Sequence, residues 1–81
     1  MPIERVQTGL RMDKTLLKVL KGLAEYFDMS LADLVEGLLL HGLEGKVAID
    51  DPQTIAVIKQ LREVYGLELT AADSHANPEP D

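Results

Sequence analysis

Hydrophobic positions along the chain repeat with two different periods. From Arg5 to Met12 the sequence RVQTGLRM changes character at every residue, with Val6, Thr8, Leu10 and Met12 on one side and Arg5, Gln7, Gly9 and Arg11 on the other. A period of two marks a half-buried β-strand. Beyond residue 13 the apolar spacing changes to threes and fours. Leu16, Leu20, Leu23 and Phe27 make one helical stripe, behind an Asp13 placed to accept from the free amides of the first turn. Ser30-Leu31-Ala32-Asp33 is a variant capping box and opens a second helix. At roughly 100° per residue, its Leu31, Leu34, Val35, Leu38, Leu39 and Leu43 cover about half the circumference, wider than one neighbouring helix requires. Such a face predicts a second chain. Asp51-Pro52 predicts a third helix, with Ile55, Ile58, Leu61 and Tyr65 as its stripe and Gly66 as its stop. From Glu68 onward ELTAADSHANPEPD has no periodicity and is expected to be disordered.

No later segment alternates, so the strand has no partner in its own chain. It is expected to pair with the same strand of a second copy, as a two-stranded antiparallel ribbon about a two-fold axis. The outward side would then present Arg5, Gln7, Gly9 and Arg11 from each copy. A two-stranded ribbon fits the DNA major groove, where Arg matches guanine edges and Gln matches adenine edges. The plainer alternative is an amphipathic dimerisation strand with no ligand.

Composition narrows the setting. The 81 residues allow one domain and include no Cys, which excludes disulfides and thiolate metal sites. A chain this short is marginal alone, and oligomerisation is a plausible source of stability. Leu38-Leu39-Leu40 is the longest Leu run, far short of the roughly 20 apolar residues of a membrane span. MPIERVQT lacks the apolar core of a signal peptide, so a cytoplasmic protein without membrane contact is expected. Net charge is −6, but its sign is unevenly distributed. Residues 1–21 hold Arg5, Arg11, Lys14, Lys18 and Lys21 against Glu4 and Asp13, whereas Lys46, Lys59 and Arg62 are outnumbered by the acids beyond. For an anionic partner the local sign matters more than the sum.

Catalysis finds no support. His41 and His75 are the only histidines, and no paired metal-ligand spacing or glycine-rich phosphate loop is present. No enzyme activity, metal or cofactor is expected.

The stretch QTGLRMDKTLLKVLKGLAEYFDMSLADLVEGLL, a strand followed by two helices, resembles the ribbon-helix-helix DNA-binding proteins of the Arc/MetJ type. The resemblance implies a mostly α fold with one N-terminal strand, assembled as an intertwined homodimer that binds double-stranded DNA and represses transcription, often of its own operon. It implies that Gln7, Gly9 and Arg11, beside Arg5, are the base-reading ribbon positions. Ser30 and Leu31 would stand at the second helix N-terminus, whose free amides grip a phosphate. Residues 1–46 would be the dimerisation and DNA-binding domain, 47–67 a helical extension and 68–81 an acidic disordered tail. A helix-turn-helix reading of LAEYFDMSLADLVEGLL ranks lower, because it would turn Asp33 and Glu36 toward DNA. The alternative of a different class is a protein-interaction module or antitoxin, in which the third helix and tail bind a toxin-like partner.

Overall fold

A computed structural model describes residues 2–75. Three helices follow one another: α1 (Lys14–Phe27), α2 (Leu31–Leu43) and α3 (Pro52–Tyr65), with a 3-10 turn at Ala71–His75.

Each helix begins where its capping chemistry places it. Asp13 accepts from the Leu16 amide at 2.9 Å and from the Thr15 hydroxyl, Ser30 Oγ from the Asp33 amide at 3.0 Å, and Asp51 from the Thr54 amide at 2.9 Å. In each case a side-chain oxygen satisfies an amide that the helix leaves unpaired. α1 ends on Asp28, which takes the left-handed conformation at φ 58°, and the Met29 amide then closes onto the Ala24 carbonyl at 3.0 Å. The next helix cap follows two residues later, which holds the α1–α2 connection short. α3 ends at Gly66 with φ 72°, a conformation that costs glycine little.

α1 is the central element and packs against both α2 and α3. Leu23, Ala24 and Leu34 are buried at the centre, with Leu20, Phe27, Leu38, Ile49, Ile58 and Leu61 around them. The buried side of α1 is Val19, Leu23 and Ala24, rotated from the expected stripe because the helix has neighbours on two sides. At Gly22 the Leu61 side chain of α3 packs closely on α1: a Cβ there would stand 2.9 Å from a Leu61 methyl. On α3, Ile58 and Leu61 face the core, whereas Ile55 is 50 % exposed.

The N-terminal strand is not formed, and the expected ribbon-helix-helix fold is corrected accordingly. Residues 2–13 carry no strand, nor does any other described residue. Alternation supplies an apolar side but not the ladder of backbone partners that makes a strand. The helices, for their part, satisfy much of one another: α3 covers part of α1. Val6 and Leu10 stay exposed, and the segment is an arm.

The C-terminal segment is also more ordered than its lack of periodicity predicts. Leu67 is buried, Arg62 Nη2 donates to the Leu69 carbonyl at 2.7 Å, and Asp73 accepts from the Thr70 amide at 2.8 Å. The remainder of the predicted tail, residues 76–81, lies outside the described residues. No helix among the described residues is long and apolar enough to cross a membrane.

Candidate nucleic-acid and partner interfaces

The arm brings its cations to different places. Arg5 lies against α2, with Nε donating to Glu36 Oε2 at 3.3 Å and Nη2 donating to Glu36 Oε1 at 2.9 Å. The hydrogen bonds and charge of Arg5 hold the Glu36 carboxyl below the usual carboxylate range, and Glu36 raises Arg5 in turn. Both side chains remain about half exposed, at 58 % and 45 %. Gln7, Gly9 and Arg11 are exposed along the arm, and a side chain at Gly9 would meet nothing within 4 Å.

Ser30 caps α2, and Leu31 is its first residue. The Ser30 hydroxyl is already engaged by the Asp33 amide, and Asp33 places an acid in the first turn. That local charge opposes a phosphate. The arm and this helix end are nonetheless close together, because Ile3, Arg5 and Val6 share a cleft with Ala32, Asp33 and Glu36.

A second cationic feature lies on α1. Lys14, Lys18 and Lys21, spaced four and three residues apart, are all exposed on the side that neither α2 nor α3 covers. With Arg11 just before the helix, they form a basic edge in a chain that is acidic elsewhere.

The apolar surface is concentrated on α2 and the arm. Leu34 is buried, but Leu39, Leu40 and Leu43 are 58 %, 56 % and 85 % exposed, so the wide leucine face is only partly used within the chain. Beside it, an apolar groove of about 220 Å³ is lined by Phe27, Met29, Leu34, Leu38 and Ile49 among others. Sequence reasoning missed Glu36 as the partner of Arg5, since the two lie 31 residues apart. Their opposite charge was the one available signal. It also missed Met29 and Ile49, whose roles depend on how the loop after α2 folds back.

The chain matches no protein-family model, no curated protein and no solved structure.

Proposed function

We propose that the chain is a DNA-binding transcriptional regulator that acts as a homodimer. The observation that carries the DNA half is the exposed basic edge of Arg11, Lys14, Lys18 and Lys21 in an otherwise acidic chain. Three exposed lysines on one helix edge, with Arg11 exposed shortly before them, are suited to a row of phosphates, where binding releases condensed counterions. The arm, which lies outside the helices, supplies groups able to contact bases, Arg5, Gln7 and Arg11. Repression, including of its own gene, is the regulatory outcome favoured for a small dimer that covers its site.

Exposed area supports the homodimer. The molecule exposes 7065 Å², against about 4,800 Å² for a compact monomer of its mass. Residues 1 and 76–81 would account for at most about 1,100 Å² of that excess, even with the full area of an unfolded chain. More than about 1,000 Å² of surplus remains, to which the exposed arm of residues 2–13 and the leucines of α2 both contribute, and each partner in a stable complex covers about 800 Å².

The test is a titration of duplex DNA from upstream of the gene across a salt series. Affinity should fall steeply with salt, and Arg11→Ala and Lys18→Ala should each weaken binding and lower the slope by up to about 1.8, about 0.9 for each copy in the dimer. Absence of binding at low salt, or a triple Lys14, Lys18 and Lys21 to Ala variant that binds like the wild type, would refute the reading. The groove at Phe27, Leu38 and Ile49 favours a second reading, a module that binds a protein partner such as a toxin. DNA binding that is absent at every salt concentration, in a dimer that still forms, would favour that alternative.

A further inference from the structure

The arm is held to the body of the protein by charge more than by burial. Ile3 and Val6, on either side of Arg5, remain 71 % and 79 % exposed although they line the cleft on α2. Arg5 between them is matched fork to fork with the two oxygens of Glu36 at 3.3 and 2.9 Å, and Asp33 one turn earlier adds to the attraction. A guanidinium fork recognises carboxylate and phosphate through the same two parallel N–H donors. Arg5 therefore cannot keep both Nε and Nη2 on Glu36 and turn the same fork to a phosphate.

We infer that the Arg5–Glu36 pair is a latch that holds the arm on α2 in the free protein and that a DNA phosphate must displace. The inference rests on the DNA-binding reading for the identity of the competitor, while the latch itself does not. An exposed ion pair favours its closed form by at most a factor of about five. The latch therefore lowers affinity without abolishing it, and salt opens it. Its effect is graded: a strong site opens the arm, whereas a weak site leaves it closed and meets only the lysines of α1.

Two readouts separate the latch from its ligand. Trypsin requires a free guanidinium, so cleavage after Arg5 reports the open arm without any DNA. Glu36→Gln should speed that cleavage about two- to fivefold at low salt, relative to Glu63→Gln, which removes the same charge from α3, outside that cleft. The difference should vanish at high salt. For duplex DNA at low salt, Glu36→Gln should bind about two- to fivefold more tightly than Glu63→Gln, and the two should bind equally in an Arg5→Ala background. Cleavage after Arg5 that responds equally to both substitutions overturns the latch. An affinity gain from Glu36→Gln that persists without Arg5 overturns it as well, since the gain is then general electrostatics. Faster cleavage in Glu36→Gln with no DNA binding by any variant leaves the latch standing and removes the DNA-binding reading.

Discussion

Replacing Leu40 and Leu43 together by Gln tests whether a second copy covers the far end of α2. Both lie in the last turn and are 56 % and 85 % exposed in the single chain. Gln has nearly the helix propensity of Leu, so a monomer should tolerate the change with little effect on stability. In a dimer the effect is large. Full burial of a Leu side chain contributes about 2 kcal/mol. Covering the exposed portions would then contribute about 1.1 kcal/mol at Leu40 and about 1.7 kcal/mol at Leu43. A two-fold axis repeats both, for about 5 to 6 kcal/mol per dimer. If the interface covers half of that area, about 2.8 kcal/mol remains, a loss of about a hundredfold in dimer affinity. Sedimentation equilibrium over a wide concentration range measures this directly, and thermal melting at the same concentrations checks it. The wild-type midpoint should rise with concentration, and that of the double variant should not. A wild-type protein with a monomer mass and a concentration-independent midpoint would refute the dimer. A variant that dimerises as tightly as the wild type would refute this surface as its interface.

Other outcomes follow from the core and the caps. Leu23→Ala removes a side chain only 3 % exposed and should cost about 2 to 4 kcal/mol in urea unfolding; a loss below about 1 kcal/mol would mean that α1 is not the centre of the core. Gly22→Ala should stay within about 1 kcal/mol of wild type, since the gain in helix propensity offsets the displacement of a flexible Leu61 methyl, whereas Gly22→Leu should cost about 1 to 3 kcal/mol by forcing α1 from α3. The Asp13 carboxyl is lowered by the Thr15 hydroxyl and Leu16 amide, Glu36 by Arg5, and Asp51 by the Thr54 amide and hydroxyl. Groups lowered in the folded state stabilise it above their unfolded pKa, so the melting midpoint should hold from neutral pH to about 5 and fall below about 4. A midpoint that rises through that window would contradict the assigned partners.

The helices were legible because their ends are written locally. Asp13, Ser30, Asp51-Pro52 and Gly66 each act on backbone within a few residues, and capping chemistry depends on little else. The strand was not legible in the same way. Alternation at Val6, Thr8, Leu10 and Met12 is necessary for a half-buried strand, but a ladder also requires a second backbone that no local pattern supplies. The helix stripes were right in kind and displaced in detail: the sequence favours Leu16 and Leu20 on α1, whereas burial selects Val19 and Ala24. Which turn of a stripe is covered depends on where α3 lands, and that is set by the close approach at Gly22. The Arg5–Glu36 pair depends on the path of a whole arm across α2, so charge could suggest it but not locate it.

The two halves of the proposed function place opposite demands on the surface, and the distribution of side chains separates them. DNA cannot approach productively along α2, where Asp33 and Glu36 would face its phosphates. The same helix carries Leu39, Leu40 and Leu43, nearer its C-terminal end, which a second copy can cover. The lysines of α1 stand apart from both, on a side left open by α2 and α3. A homodimer joined through the end of α2 would therefore leave both copies of the Lys14, Lys18 and Lys21 edge available, and double the count of phosphate contacts. Since the logarithm of affinity depends on that count multiplied by the logarithm of salt concentration, dimer and monomer should differ in slope as well as strength. The Leu40 and Leu43 double variant should accordingly lose roughly half of the salt slope of wild type. Loss of affinity at an unchanged slope would show that the second copy contributes something other than its cations.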